Sequence, residues 1–375
     1  MKSIWIPSIL MVFCAACGLN PLTSTSSISE VQSASPPTST VLPSLTDVQL
    51  PAGYGTRGSS LEVYFTNPTS PLASQETGGV DGPLVEAIDA ARLSVDLAAY
   101  SLSLNSVRDA LLRAHARGLR VRVVMESDNR GRSDVDQLVE AGIPVLGDRR
   151  EGLMHNKFVL IDNSEVWTGS MNFTDSGTYE DHNCLIRIRS VKMAENYARE
   201  FEEMFVEDRF GPEVVSDTPH PRVILDGMPI DVYFSPDDNV QAGILDLVNN
   251  AQESIYFLAF SFTADPIGEA LRDQMQEGII VSGVMDSDQI DSNAGTEFDS
   301  FQQACVDVLR DRGEGQMHHK LMIIDEAIVI VGSYNFTNSA ETRNDENLLV
   351  VYDEDIARRF MEEFERVYAL SQAIP

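Results

Sequence analysis

Apolar and polar positions along the chain follow two spacings, helical and extended, and their order of occurrence repeats. Leu84–Ala91 and Ile244–Ala251 carry apolar residues at helical spacing. Ser94–Ser101 and Ser254–Ser261 follow as short apolar runs that read as strands. Helical periodicity returns over 106–117 and 266–277, each ending at a glycine, Gly118 or Gly278, a frequent helix stop. The apolar, β-branched runs Leu119–Met125 and Ile279–Met285 then read as buried strands. Further strands are predicted at Lys157–Asp162 and Lys320–Asp325, at Val166–Thr168 and Ile328–Val331, and at 184–188 and 347–352. An amphipathic helix, 191–206 or 354–368, closes each set, and Glu62–Thr66 or Asp231–Ser235 opens it. Strands alternating with helices predict α/β layering. The pattern divides this part of the chain into a first domain over 59–210, a linker over 211–228 rich in Pro and Asp, and a second domain over 229–375.

The N-terminal residues follow other rules. Lys2 precedes the apolar run Ile4–Phe13, and Ala15 and Ala16 follow it. The run is too short for an ordinary spanning helix and has the pattern of a secretory signal. Cys14-Ala15-Ala16-Cys17 resembles the lipobox of bacterial lipoproteins, although Cys14 stands where that pattern has an aliphatic residue. The resemblance implies a signal peptide over 1–17, lipidation at Cys17 and a lipid-anchored place in the bacterial cell envelope. A plain signal cut near Ala16, giving a secreted protein, is the alternative. Residues 18–58, dominated by Ser, Thr and Pro, cannot bury enough apolar surface to offset their ordering entropy and are expected to form a disordered stalk.

With 375 residues, 43% of them hydrophobic, the chain can build two cores and is not a disordered protein. Its 58 acidic and 27 basic residues give a net charge of -31. Such a surface favours solubility and repels phosphate backbones, which counts against a tight nucleic-acid binder. A local basic pocket can still take a phosphodiester.

The chemistry lies in a motif present twice. His155, Lys157, Asp162, Gly169, Ser170 and Asn172 recur at the same spacing as His318, Lys320, Asp325, Gly332, Ser333 and Asn335. Strand side chains alternate, so a His-x-Lys pair at a strand start puts imidazole and ammonium on one face. Two such pairs, each followed by Gly-Ser-x-Asn, suit an in-line displacement at a phosphodiester. One histidine attacks phosphorus, dividing one hard step into two. The other protonates the leaving oxygen and then deprotonates water. Lysines and asparagine amides stabilise the phosphoryl oxygens. The lysines supply the positive charge, so neither metal nor cofactor is expected.

The doubled motif His-x-Lys-(x)4-Asp-(x)6-Gly-Ser-x-Asn resembles that of the phospholipase D superfamily, over residues 60–370. The resemblance implies two similar α-β-α sandwich domains related by a pseudo-twofold, with both motifs meeting at one interface; the chain is read as a monomer. It implies His155 as nucleophile, His318 as general acid and base, and Lys157, Lys320, Asn172 and Asn335 as phosphate ligands. Ser170 and Ser333 are expected to shape the turn and reach the phosphate, and Asp162 and Asp325 to be structural. A downstream carboxylate is implied to orient each histidine. Glu346 is expected on His318; in register Asn183 replaces it, leaving Asp181 or Asn183 for His155. An amide supports an imidazolium less well, so the nucleophile assignment could swap.

Other residues carry blander expectations. His182 and His319 read as neighbours without a catalytic role, and Trp167 as core. The loops Glu126-Ser127-Asp128 and Asp286-Ser287-Asp288 follow strand ends, where they could contact a headgroup or a cation but read as solvated. Residues 289–304 read as a gating loop or surface decoration. Cys184 and Cys305 could pair in an exported protein or stay free. Three functions remain open: hydrolysis of a phospholipid headgroup ester, cleavage of DNA or RNA, and non-catalytic binding of phosphorylated ligands by an envelope protein.

Overall fold

The repeat becomes two mixed sheets. The computed structural model describes residues 45–313 and 315–372, all within one compact unit. The signal peptide, Cys17 and most of the predicted stalk lie outside the described residues. The first half contains β1 (Thr46–Leu50), β2 (Gly53–Arg57), β3 (Leu61–Thr66), β4 (Ser94–Ala99), β5 (Arg120–Met125), β6 (Val145–Gly147), β7 (Lys157–Ile161), β8 (Glu165–Gly169) and β9 (Cys184–Arg189). The second contains β10 (Arg222–Leu225), β11 (Met228–Ser235), β12 (Ser254–Ala259), β13 (Ile280–Met285), β14 (Asp307–Arg310), β15 (Lys320–Ile324), β16 (Ile328–Gly332) and β17 (Glu346–Tyr352). The sheet orders are β1-β2-β3-β9-β8-β7-β4-β5-β6 and β10-β11-β17-β16-β15-β12-β13-β14. Beyond the extra β1 they correspond strand for strand. In each, three parallel strands (β4, β5, β6 or β12, β13, β14) join an antiparallel set. β4 and β7 are buried on both faces, as their continuous apolar runs require.

Each sheet covers a core of its own on its outer face, under Asp81–Ala90 and Asn105–Ala116 in one half and Val240–Asn249 and Asp265–Gln276 in the other. The inner faces share a third core, drawn from both halves. The closing helices Val191–Phe205 and Glu354–Gln372 lie in it and reach across: Tyr197 meets Phe234 edge-on at 5.1 Å, and Phe360 meets Phe65 at 5.1 Å. The shared apolar core makes the interface between the halves part of the fold, and this holds the two motifs together.

Two expectations need correction, for the stalk and the linker, and two open ones are decided, for residues 289–304 and the cysteines. Residues 46–57, assigned to the disordered stalk, form the hairpin β1–β2 and continue the sheet through β3. Val48 and Leu50 pack against the first-half core, and Gly55 lies where a Cβ would meet the Val63 carbonyl at 2.1 Å; the Ser/Thr/Pro-rich run just before this segment masks its own alternation. The predicted linker contributes β10, which pairs with β11. Residues 289–304 fold as parts of two short helices, Ser287–Ser292 and Phe298–Gln303, anchored by the buried Phe301. Cys184 and Cys305 are both free: Cys184 is buried at the start of β9, and Cys305 is exposed in a turn with φ 61° before β14. Trp167 is buried and stacks on Tyr64.

Asp162 and Asp325 end their strands in the left-handed region, at φ 53° and 52°. The Asp162 carboxylate accepts the backbone N–H groups of Arg92, Leu93 and Ser94, and Asp325 those of Gln252, Glu253 and Ser254. These bonds tie the end of β7 or β15 to the start of β4 or β12. Asp162→Ala orphans three donors at once, and a stability loss of about 2 kcal/mol is expected, with kcat unchanged, in a urea melt paired with a rate assay.

Candidate active site

Both motifs open at the interface. Lys157 and Lys320 are the first residues of β7 and β15. The histidines precede the strands and are held by the opposite half through isolated parallel bridges, Met154 with Asp345 and Met317 with His182. The His155 N–H donates to the Asp345 carbonyl at 3.0 Å, and the His318 N–H donates to the His182 carbonyl at 3.0 Å. The loops read as solvated support this arrangement. Glu126 and Asp286 are buried, and their carboxylates accept the N–H groups of Met154 and Met317, each at 3.0 Å. Those amides lie just before the strands, where no ladder partner reaches them.

The bridges cross the orienting partners. His155 Nδ1 lies 2.7 Å from Glu346 Oε2, and His318 Nδ1 lies 2.9 Å from Asn183 Oδ1. The expectation that Glu346 serves His318, and that Asp181 or Asn183 serves His155, is therefore corrected: each partner stands at the start of the last strand of its own half, Glu346 on β17 and Asn183 just before β9, and reaches the other half's histidine. Asp181 instead accepts the Gln316 N–H at 3.0 Å. Burial pushes its carboxyl up to about 6.

Each lysine ammonium donates to the carbonyl of its motif's own histidine, at 2.6 Å for Lys157 and 2.7 Å for Lys320. Each also faces an aromatic ring that sequence reasoning treated only as a strand end. Lys157 Nζ lies 5.2 Å from the Tyr100 ring centre and Lys320 Nζ 4.5 Å from that of Phe260. The same rings meet His155 and His318 edge-on at 4.9 and 4.6 Å. The signal was available: Tyr100 and Phe260 occupy matching positions of the repeat, directly after β4 and β12. Asn172 and Asn335 are half-buried, and their side-chain carbonyl oxygens are buried without partners. Ser170 and Ser333, expected to reach phosphate, are fully buried and committed elsewhere. Ser170 donates to Asn183 Oδ1 at 2.8 Å, and Ser333 Oγ accepts the Asn347 N–H at 3.0 Å. They brace the residues that orient the histidines.

His155 and His318 retain 6% and 4% of their surface and the lysines 1% and 0%, so a substrate reaches them only through a narrow crevice. Burial pulls the His155 imidazole down to about 4, against the opposing pull of Glu346. Burial pushes the Glu346 carboxyl up, but the His155 charge, its hydrogen bond and Lys157 outweigh this and hold it below the ordinary range. Burial, then Lys320, Lys157 and His155, drive His318 well below its usual value. Burial brings Lys157 down to about 7, with Glu346 opposing, and burial together with Lys157 holds Lys320 well below the usual lysine range. Two lysines and two histidines thus share one carboxylate. A bound anion would supply the missing negative charge and raise all four. Orthovanadate is accordingly expected to raise the melting temperature at pH 6, more weakly as pH climbs past 7, because unliganded Lys157 then gives up its proton and the anion must restore it. Lys157→Met should remove most of the increment.

Near this crevice, Glu180, Asp181, Asp286, Asp288 and Asp311 line a cavity of about 360 Å³. Among the described residues no group of three or more His, Cys, Asp or Glu side chains is arranged to hold a metal ion. None of the described helices is long and apolar enough to cross a membrane.

Fold and site define a class. The profile described as "Cardiolipin synthase, PLD-like domain" matches residues 84–205 and 244–368, and the chain belongs to this family of phospholipase D-like proteins. It is 36% identical over 118 residues to the mitochondrial cardiolipin hydrolase of Homo sapiens, covering 32% of this chain and 46% of that protein. The chain spans about half the length of the cardiolipin hydrolases it matches. It is 30% identical over 154 residues to a phospholipase D of Rickettsia bellii, covering 40% of this chain and 76% of that protein. The phosphatidylserine synthase of Haemophilus influenzae superposes with a TM-score of 0.62 at 13% identity, covering 88% of each chain, a likeness of fold.

Proposed function

We propose that this chain is a phosphodiesterase that hydrolyses the headgroup ester of a phospholipid, giving phosphatidate, through a covalent phosphohistidine. The unequal pair of histidine partners carries the reading. His155, with Nδ1 on a carboxylate, is the group able to bear positive charge. Its Nε2 lone pair attacks phosphorus while His318 Nε2 gives a proton to the leaving oxygen as the P–O bond breaks. Water then attacks phosphorus, His318 takes its proton, and the P–N bond breaks with its electrons returning to His155. Lys157, Lys320 and the amides of Asn172 and Asn335 hold the non-bridging oxygens, in a dry crevice where fixed donors act most strongly. The lysines supply the charge that a metal would otherwise supply.

A phospholipid substrate is favoured by relatives named cardiolipin hydrolase and phospholipase D and by an acidic surface that repels nucleic acid. A lipid-type signal at Cys17 would place the enzyme at the membrane of the cell envelope; Cys17→Ser is then expected to release it from the membrane fraction. The deciding experiment incubates full-length protein, in EDTA, with labelled phosphatidylcholine, cardiolipin, and single- and double-stranded DNA. Headgroup release from lipid is expected. DNA cleavage with every lipid intact would make the chain a nuclease. Turnover unaffected by His155→Ala and His318→Ala would remove the catalytic reading altogether and leave a binding protein.

A further inference from the structure

We propose that His319, the residue between His318 and Lys320, is a positioning residue: held on Glu363 of the closing helix, it sets positive charge beside His318 and makes that histidine the one that moves protons. The inference rests on the reaction proposed above. His319 is fully buried, with Nε2 2.8 Å from Glu363 Oε1. The same carboxylate accepts from Arg366 Nε at 2.8 Å and Nη2 at 2.9 Å, and from the Tyr54 hydroxyl on β2. A buried carboxylate with this many donors is held ionised, and an ionised carboxylate favours the imidazolium facing it. Burial pushes Glu363 up, but Arg366 and His319 overcome this and hold it well below the carboxylate range. Burial opposes charge on His319, and the nearby Cys184 thiol and Glu363 outweigh burial, although Nδ1 itself is buried without a hydrogen-bond partner.

The first motif carries an uncharged version of the same chain of contacts. Asn156, in the place of His319, donates to Glu200 of its own closing helix at 2.9 Å and accepts from Asn347 at 2.8 Å. Asn347 follows Glu346 on β17 as Cys184, the first residue of β9, follows Asn183. Burial, then Asp345 and other nearby carboxylates, push Glu200 well up, toward its neutral form. A neutral assembly therefore backs the histidine that has a carboxylate partner. A charged one backs the histidine whose partner is an amide.

The groups whose positive charge works against one on His318 are Lys320, Lys157 and His155 in the site and its chain neighbour His319. Each opposes an imidazolium there, so a proton on His318 is readily given up. The network also shapes the site through the backbone. The His319 carbonyl accepts the N–H of Phe260, whose ring lies on His318 and Lys320, at 2.9 Å. Arg366 Nη2 donates to His182 Nδ1 at 2.9 Å, and the carbonyl of His182 holds the His318 N–H.

His319→Asn installs the first motif's residue and removes the charge. Imidazole NMR titration of the full-length protein, which has six histidines, is expected to show the His318 pKa rising by about one pH unit, with the corresponding limb of the pH–kcat profile moving the same way. His319→Gln gives a second neutral variant should the first fold poorly, and the same rise is expected. A His318 titration left in place, with only a lower melting temperature, would overturn the proposal and leave His319 a structural residue. The titration needs no turnover, so failure to cleave any phosphodiester would sink the reaction while this result stays readable.

Discussion

Glu346→Gln is expected to lower kcat about a thousandfold with little change in KM, the scale seen when a group that orients and stabilises a catalytic imidazole loses its charge. The Gln side chain keeps an oxygen near His155 Nδ1, now 2.7 Å from Glu346, so geometry survives while electrostatic support of the phosphorylated ring is lost. The paired exchange Asn183→Glu with Glu346→Asn is the sharper experiment. It moves the carboxylate from His155 to His318 within a frame whose two halves correspond strand for strand. Alkaline quench and peptide mapping are expected to find the phosphoryl group on His318 in the exchange variant and on His155 in the parent. Phosphate retained on His155 would show that motif order, not the carboxylate, sets the direction. The larger side chain at 183 enters a packed site where Asn183 already bonds Ser170, His318 and the Gly177 carbonyl, so an overpacking cost of about 1–3 kcal/mol is expected and a thermal melt belongs beside the mapping.

The second large effect concerns the other histidine. His318→Asn is expected to reduce turnover of an alkyl phosphodiester by about 10³–10⁴-fold, since both proton transfers pass through this residue. A p-nitrophenyl phosphodiester needs little acid assistance, and its first step should survive. The variant is then expected to release one equivalent of nitrophenolate and stall, carrying the phosphoryl group on His155. His155→Asn should give no burst with either substrate. A burst in the His155 variant and none in the His318 variant would reverse the roles.

Much of this architecture is legible in the sequence because each half writes its own pattern. β4 and β12, β5 and β13, and the closing helices are set by local periodicity, and their register places His155 and Lys157 opposite His318 and Lys320. Asp162 and Asp325 stand out by their repeated spacing, but what they hold is the start of β4 or β12, 69 or 72 residues earlier in the chain. Other features depend on neighbours distant in the chain. The β1–β2 hairpin is hidden by the Ser/Thr/Pro-rich run that precedes it and is held by pairing with β3. Glu126 and Asp286 look like loop carboxylates until Met154 and Met317 bring unsatisfied amides to them. Tyr100 and Phe260 look like strand ends until the lysines lie over them.

By itself the sequence determined that two equivalent half-sites exist, which residues each contributes, and that one half carries Glu346 where the other carries Asn183. Only the tertiary structure decided whom those two residues serve. Residues 183 and 346 lie at the ends of strands directed toward the interface, and the bridges from Met154 to Asp345 and from Met317 to His182 draw each motif loop onto the opposite strand. No spacing within one half can encode that crossing, because the contact is made between segments whose order along the chain is indifferent to it. The crossing gives the carboxylate to His155 and the amide, backed by His319, to His318.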